Sequence, residues 1–184
     1  MGDRGVGRAA GVAIMRLVLE RLDYSQANAL QQATRRFGSS GPGSWLFARL
    51  SPRIDRPVYR MTRGRHTLGS LVSGIPVVML TTTGARSGQP RTVPVLGLPT
   101  EDGLVVIASN FGQHRHPAWY HNLRANPEGE VAVGGTRRRF RAVEAEGERR
   151  ARIWEQGLKV YPGWSQYERR ASHRRIAVFV LEPV

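Results

Sequence analysis

An arginine-bearing loop lies directly behind an apolar run of the sequence. In the stretch TTTGARSGQPRT, residues 81–92, Gly84 and Gly88 flank Arg86, and Arg91 follows soon after. Glycine permits the positive φ angles of a tight loop whose backbone N–H groups converge on an anion, and arginine adds charged donors. The loop lacks the lysine of the phosphate loop G-x-x-x-x-G-K-[ST]. We expect it to hold an anion; the alternative is a hairpin loop with exposed arginines.

A second stretch, ASNFGQHRHPAWYHNLRANP (108–127), combines the end of a strand, a glycine loop and the start of a helix. The strand ends at Ser109 and Asn110, and the helix begins at Pro117. This order places free backbone donors and the Ser109 hydroxyl at a helix N-terminus, beside a ligand. Within the helix, Trp119 is typical of a core anchor.

The third stretch, VYPGWSQYERR (160–170), carries three aromatic residues, Tyr161, Trp164 and Tyr167, at a spacing of three. On a helical turn they form an aromatic wall that covers a flat ring, and a phenol there can donate a proton. The alternative is that all three are core residues.

Several chemistries are excluded by the residue types. The chain has no cysteine, which removes disulfides, thiolate catalysis and cysteine-ligated metals. Lys159 is the only lysine, which argues against Schiff-base catalysis. The chain lacks an HExxH motif, and the following histidines do not share one helical face: His114, His116 and His121. We therefore predict no metal site.

The positive charge indicates a polyanionic partner. The chain has 28 basic and 14 acidic residues, a net charge of +14. Between Tyr24 and Thr100, ten arginines face a single acid, Asp55. Arginine binds phosphate and carboxylate with paired donors, so the partner is nucleic acid, anionic lipid or a multiply charged small molecule. The alternative is a solvated arginine surface with no specific partner.

The order of elements predicts an α+β, mainly β fold. Residues 1–10 are predicted to be disordered, and helices are expected over Val12–Arg36 and from Ser51 to Thr62, with a break at 38–44. Six β-rich runs follow: 75–83, 92–98, 104–109, 130–133, 138–144 and 176–182. Between these runs, helices are expected only within 117–127 and 146–162. We predict a closed or split barrel of about six antiparallel strands in residues 51–184, after an N-terminal helical extension in residues 1–50.

The N-terminal extension bears on localisation. No run approaches the roughly 18 apolar residues of a membrane span, and Gly11–Met15 is too short for a secretory signal, so we predict a cytoplasmic protein. Trp45, Phe47 and the flanking arginines suit peripheral contact with an anionic membrane; packing on the core is the alternative.

Three stretches together resemble the deazaflavin-dependent nitroreductase family of actinobacteria, within the flavin-binding split-barrel group. They are LTTTGARSGQPRTVP, VVIASNFGQHRHPAWYHNLRANP and VYPGWSQYERR with RRIAVFVLEP after it, and the resemblance runs from about Asp55 to Pro183. It implies a split β-barrel that binds reduced coenzyme F-420, whose phosphate and oligoglutamate tail is a polyanion. It also implies hydride transfer from ring carbon C5 to a small acceptor such as a quinone, enone or nitroaromatic.

The resemblance also implies roles for individual residues. Phosphate and tail contacts fall on Arg86, Ser87, Gly88 and Arg91, with further tail contacts on Arg60, Arg63 and Arg65. The deazaflavin ring is expected near Ser109 and Asn110, above a helix carrying Trp119 and Asn122. The substrate pocket is implied at Leu96, Tyr161, Trp164 and Tyr167. The proton is expected from Tyr167, Tyr161, Ser109 or water.

Two departures from the family pattern affect the substrate. Nitroimidazole-reducing members carry a tyrosine where this chain has Leu96, and one of the wall tyrosines is Trp164 here. Because indole cannot donate a phenolic proton, the departures count against nitroimidazole reduction and leave quinone or enone reduction open.

Two other classes of protein are alternatives. An FMN- or heme-binding split-barrel protein, or a binder of the cofactor without turnover, is the first alternative. A basic nucleic-acid-binding module is the second, but the sequence lacks RNP aromatics, zinc-finger spacing and a recognition helix, so no nucleic-acid partner is expected. No oligomeric state follows from the sequence.

Overall fold

The computed structural model describes residues 27–46, 49, 74–133 and 136–184. The predicted disordered start, most of the predicted helix over Val12–Arg36 and the helix predicted from Ser51 lie outside these residues.

The start of the first described helix is set by a capping box. Helix α1 spans Ala29–Ser39, and Asn28 and Gln31 form a capping box in which each side chain accepts from the other's backbone N–H. Residues 41–46 are again helical, so the predicted break at 38–44 is reduced to a kink at Ser40. The Ser40 amide donates to the last carbonyls of α1.

Six antiparallel strands form a closed barrel. They are β1 (Val77–Thr83), β2 (Pro90–Thr100), β3 (Gly103–Ile107), β4 (Glu128–Val133), β5 (Thr136–Glu144) and β6 (Val178–Pro183). The order around the barrel is β1-β2-β3-β6-β5-β4, and β4 pairs with β1 to close it. The predicted antiparallel six-strand barrel is therefore confirmed.

Helices fill the two longer connections. Helix α2 (Ala118–Ala125) follows a short 3-10 turn, Asn110–Gly112, between β3 and β4. Helices α3 (Gly147–Val160) and α4 (Gly163–Arg170) lie between β5 and β6. Only a helical turn was predicted for the stretch that forms α4. Within the described residues, no helix is both long and apolar enough to cross a membrane.

The two faces of the sheet carry two separate cores. The barrel interior includes Val78, Leu80, Val106, Trp119, Leu123, Phe140 and Phe179. The outer cluster joins β3 and β6 to α3 and α4, and includes Val105, Ile107, Ile153, Val160, Tyr161, Trp164, Tyr167 and Val178. Since successive strand residues point to opposite faces, Val105 packs in the outer cluster and Val106 in the interior. Both faces of β3 are thus buried.

Candidate functional site

The arginine loop is the tight connection between β1 and β2. The Gly84 amide donates to the Gln89 carbonyl at 2.9 Å, and the Gly88 amide donates to the Gly84 carbonyl at 2.8 Å. Gly88 has φ +65°, the left-handed conformation that glycine adopts without strain. Arg86 and Arg91 are exposed, and no salt bridge holds either of them within the described residues. Two guanidinium groups therefore face solvent at this end of the barrel.

Part of the loop's hydrogen-bonding capacity is used within the protein. The amides of Gly84, Ala85 and Gly88 donate to the Gln89 carbonyl, the Asn122 side chain and the Gly84 carbonyl. The Ser87 hydroxyl accepts from the Gln89 amide at 3.3 Å. The arginine side chains are the exposed charged donors of the loop. The predicted tail contacts Arg60, Arg63 and Arg65 lie outside the described residues.

Asn122 holds the loop against the barrel. Its side-chain oxygen accepts from the Ala85 amide at 2.9 Å, and its amide nitrogen donates to the Thr82 hydroxyl at 2.9 Å. Asn122 and Thr82 are both buried. The resemblance places Asn122 beneath the cofactor ring. In the structure its side chain is hydrogen-bonded to Thr82 in β1 and to the Ala85 amide just after β1. Asn122 therefore fixes the position of the arginine loop.

The segment after β3 carries the next predicted residues. Ser109 is followed by Asn110 at φ 47° and Phe111 at φ 55°. Positive φ is uncommon for any residue but glycine and is a strained conformation for phenylalanine. The Asn110 side chain donates to the Arg115 carbonyl at 2.8 Å, so its amide stabilises its own loop. Ser109 remains partly accessible.

Trp119 lies in the barrel interior. It is buried, and its ring packs edge-on against Phe179 with the centroids 6.1 Å apart. The helical context of Trp119 predicts a core anchor, whereas the resemblance implies a residue beneath the cofactor ring. In the structure its contacts are those of a core anchor.

The three aromatic residues of α4 and its N-terminal flank lie together, as expected, but they are closed to solvent. The exposed fractions of Tyr161, Trp164 and Tyr167 are 5%, 2% and 3%. Leu96, on β2, packs against the same cluster. The four residues implied as a substrate pocket thus form one group, and that group is part of the outer core.

The two phenols form a short hydrogen-bonded chain. The Tyr167 hydroxyl donates to the Gly38 carbonyl at 2.7 Å, and the Tyr161 hydroxyl, 2.9 Å away, donates to Tyr167. Burial raises the pKa of Tyr161 well above its ordinary value, and the neighbouring Tyr167 raises it further. Burial also raises the pKa of Tyr167. Both phenols therefore stay protonated, and the Tyr167 proton points at helix α1.

Two arginines that the sequence analysis did not single out organise the surroundings of Ser109. Arg174 donates to the carbonyls of Ser109 at 2.8 Å and Gln113 at 3.0 Å. Arg170 donates to the carbonyl of Ser39 at 2.8 Å and that of Phe111 at 3.2 Å. Their sequence context, a run of charged residues after an aromatic stretch, is typical of a solvated surface, so it gave no signal of these contacts.

Histidines surround Arg174 on the other side. His114 stacks on His173 with the ring centroids 3.7 Å apart, and His116 stacks on Tyr120 at 3.9 Å. Burial lowers the pKa of His116, and the charge of Arg174 lowers it further. In the part of the chain that the structure describes, no three metal-ligating side chains come together as a metal site.

A cavity of about 500 Å³ opens beside these arginines. The described residues around it are Gly41, Ser44, Trp45, Arg49, Phe111, Gly112, Gln113 and Arg170. It lies between the N-terminal segment and the 3-10 turn that follows Ser109. No local sequence pattern predicts a site at this position.

Comparison with known proteins gives one consistent family. The family model described as F420H(2)-dependent quinone reductase matches residues 51–183. An F420H(2)-dependent quinone reductase of Mycobacterium tuberculosis is 39% identical over 106 residues, which cover 56% of this chain and 70% of that protein.

Two solved structures are also similar. A structure titled as an F420-H2 dependent reductase shares 38% identity, covers 58% of this chain and 94% of its own, and has a TM-score of 0.53. A second, titled as a domain-swapped dimer, shares 34% identity, covers 77% of this chain and 100% of its own, and has a TM-score of 0.55. The chain belongs to the F420H(2)-dependent quinone reductase family and is an oxidoreductase that uses coenzyme F-420.

Proposed function

We propose that this chain reduces a quinone with reduced F-420, and that the arginine loop between β1 and β2 binds the cofactor's anionic part. The observation that carries the proposal is the pair of exposed guanidinium groups on Arg86 and Arg91, held at the barrel end by Asn122. Guanidinium groups match phosphate and carboxylate oxygens with paired hydrogen bonds, which suits a phosphate and an oligoglutamate tail. The donors present in the structure therefore fit the cofactor of the family.

The reaction needs little chemistry from the protein. When bound, reduced F-420 would supply a hydride and release one proton on oxidation; the quinone takes up the hydride and one proton, passed on through Ser109 or water, to become the hydroquinone. Residues of the chain need only hold the two molecules in contact and keep water away from the transferred hydride. The phenols of Tyr161 and Tyr167 are buried, protonated and bonded to each other and to Gly38. We therefore assign proton delivery to Ser109 or water, and a structural role to the two tyrosines.

A cofactor titration tests the anion site. Purified protein is titrated with F-420, and the dissociation constant is measured from the deazaflavin fluorescence at two salt concentrations. Loss of a charged hydrogen bond raises the dissociation constant of Arg91→Ala roughly tenfold or more, and salt weakens binding of the parent more than that of the variant.

Two variants serve as controls. Arg152→Ala removes an exposed arginine of α3 and changes net charge equally, so its dissociation constant stays close to that of the parent. Leu96→Tyr raises the dissociation constant for F-420 less than Arg91→Ala does. No saturable fluorescence change, or tight binding of FMN or DNA instead, would reject the proposed cofactor. If Arg91→Ala and Arg152→Ala lose affinity for F-420 equally, the arginine loop is rejected as the anion site, while F-420 as the cofactor stands.

We also propose that the N-terminal extension contacts an anionic membrane. Helix α1 buries Arg35, Gly38 and Ser39 and turns its apolar Leu30 and Phe37 to solvent. The next turn exposes further large apolar side chains, Trp45 and Leu46. An apolar face with arginines beside it suits the interface of an anionic bilayer.

Vesicle co-sedimentation tests the membrane contact. The protein is mixed with vesicles of anionic phosphatidylglycerol or neutral phosphatidylcholine. We expect binding to the anionic vesicles, and a loss of roughly tenfold or more in the double variant Leu30→Ser, Phe37→Ser, since each buried apolar side chain contributes about 1.5–3 kcal/mol. Val184→Ser, which changes an exposed apolar residue at the C-terminus, is the control. Equal binding by all three proteins contradicts the proposal.

We divide the chain into the N-terminal extension, residues 1–50, and the barrel domain, residues 51–184. The family match over residues 51–183 supports this boundary. The extension is not independent of the barrel domain, because Arg35 of α1 donates to the Val160 carbonyl at the end of α3 at 2.9 Å.

A further inference from the structure

The cavity beside the 3-10 turn has the volume of a small-molecule site. Its volume of about 500 Å³ lies within the usual range of ligand pockets. One wall belongs to the N-terminal extension and includes Ser44 and Trp45; the other includes Phe111 and Gln113. Arg170 bridges the walls, donating to the Ser44 hydroxyl at 2.8 Å and to the Phe111 carbonyl at 3.2 Å. The two walls are thus held at a fixed separation.

We propose that this cavity binds the flat ring of the electron acceptor, with Trp45 of the N-terminal extension as its outer wall. The inference rests on the proposed quinone reduction and adds the place where the quinone binds.

The lining suits an electron-poor ring that gains negative charge. Trp45 and Phe111 offer aromatic surface, and Trp45 is 57% exposed although the Arg49 guanidinium lies over its ring, 4.5 Å from the centroid. Arg170 and Arg49 bring positive charge, and no acidic side chain is among the described residues that line the cavity. When a quinone accepts a hydride, negative charge develops on a carbonyl oxygen. A nearby guanidinium group stabilises that charge.

The position of the cavity agrees with the expected site of hydride transfer. Phe111 and Gly112 follow directly on Ser109 and Asn110, the residues that the resemblance places near the deazaflavin ring. The backbone is strained at Asn110 and Phe111, because both are residues other than glycine with positive φ. This conformation is maintained by contacts on both sides: the Phe111 ring packs on Tyr167 at 6.2 Å, and its carbonyl accepts from Arg170.

The acceptor would therefore bind outside the aromatic wall that the resemblance implies, since none of the three wall residues is among the described residues that line the cavity. That wall is closed, because Tyr161, Trp164 and Tyr167 are buried among core residues. A Cβ added at Gly112 would lie 2.9 Å from the Tyr167 Cα, so the turn and α4 are already in contact. The cavity is the open space that adjoins this contact.

The assignment has a consequence for specificity. The N-terminal residues that line the cavity lie before the stretch that the family model matches, residues 51–183. The choice of acceptor would then depend on a part of the chain outside the family's common barrel. The arginine loop lies within that stretch, and it would contact only the cofactor and not the acceptor.

Steady-state kinetics of the full chain with reduced F-420 and the naphthoquinone menadione test the inference. Trp45→Ala raises the KM for menadione roughly two- to tenfold, the range expected for the loss of one aromatic pair, and Trp45→Phe restores most of it. The KM for reduced F-420 stays unchanged in both variants. Leu46→Ala is the matched control, because Leu46 is the exposed neighbour of Trp45 and does not line the cavity.

Quenching of tryptophan fluorescence by menadione gives a second readout that needs no turnover. The quenching saturates in the parent and in Leu46→Ala, and it loses its saturable part in Trp45→Ala. If the parent turns over menadione but Trp45→Ala keeps the parent's KM, the inference is wrong and the proposed function stands. An equal change in the KM for reduced F-420 would also overturn it, since the cavity would then hold the cofactor. If the parent does not oxidise reduced F-420 with menadione, both proposals fail.

Discussion

The Tyr167 hydroxyl donates a hydrogen bond to the Gly38 carbonyl at 2.7 Å, across 129 residues of sequence. Tyr167 belongs to α4 and Gly38 to the last turn of α1, so the bond joins the N-terminal extension to the barrel domain. Arg170, one turn further along α4, reinforces the joint by donating to the Ser39 carbonyl. A phenol that the resemblance implies as a proton donor thus serves in this structure as an attachment point for α1.

The first prediction concerns the strength of this attachment. Tyr167→Phe leaves the Gly38 carbonyl without its buried donor and deprives Tyr161 of its partner, so we expect the free energy of unfolding to fall by about 1–3 kcal/mol. Urea denaturation followed by circular dichroism measures the change. Tyr120→Phe is the control: Tyr120 stacks on His116 through its ring, and its variant stays within about 0.5 kcal/mol of the parent. Equal stability of the two variants would contradict a structural role for the phenol.

Alkaline pH tests the two phenols together. Their pKa values are raised in the folded chain above the ordinary value of 10.0, so the unfolded chain loses these protons first. Their contribution to stability is complete below pH 10 and declines as pH rises above it. We expect the decline in unfolding free energy above pH 10 to be shallower in Tyr161→Phe. A parent whose stability does not depend on pH there would show that the phenols titrate normally.

Asn122 gives a prediction that links stability to cofactor binding. Asn122→Ala leaves the Ala85 amide and the Thr82 hydroxyl without their buried partner, which lowers the free energy of unfolding by about 2–3 kcal/mol. The freed arginine loop also binds F-420 more weakly, as fluorescence titration measures. Asn126→Ala, at the exposed end of the same helix, is the matched control and retains the parent's affinity. An unchanged dissociation constant in Asn122→Ala would show that the loop holds its shape without Asn122.

Acid pH tests the histidine cluster. Burial and the charge of Arg174 lower the pKa of His116 below 6.5, so below that pH the unfolded chain binds a proton that the folded chain resists. The contribution of His116 to stability is present above pH 6.5 and is lost as the pH falls through its folded pKa. We expect His116→Asn to lose less stability than the parent between pH 7 and pH 5. An NMR titration of the His116 ring that gives a pKa above 6.5 would contradict the prediction.

The strands could be predicted because their signal is local. Each of the six predicted runs overlaps a strand of the barrel, with ends that differ by a few residues. The largest extension is in β2, which spans Pro90–Thr100 and contains Pro94 and Pro99. Residues 90–96 pair only with β1, and residues 97–100 pair only with β3. A proline can place its missing N–H on the unpaired side, so a residue that usually ends a strand is tolerated here.

The site was predicted only in part, because much of it depends on distant contacts. The loop with Arg86 and Arg91 was visible from its glycines and charges. The connections from Arg170 to Ser39 and from Arg174 to Ser109 join residues 65 or more positions apart, and no local pattern marks them. The burial of Tyr161 and Tyr167 agrees with the alternative reading of them as core residues, but the helix that covers them was not part of that reading, since its buried face carries polar residues.

The closed barrel has a consequence for association between copies of this chain. Each strand has a neighbour on both sides for at least part of its length, so an edge to which another chain could add a strand is confined to stretches such as residues 90–96 of β2. Pro94 lies in that stretch and cannot donate to an added strand, which limits edge-to-edge aggregation. Sharing strands between copies would require the barrel to open and exchange whole elements, with the contacts within one chain replaced by equivalent contacts between two. Opening is costly and slow, so any such exchange should depend on unfolding conditions more than on protein concentration alone.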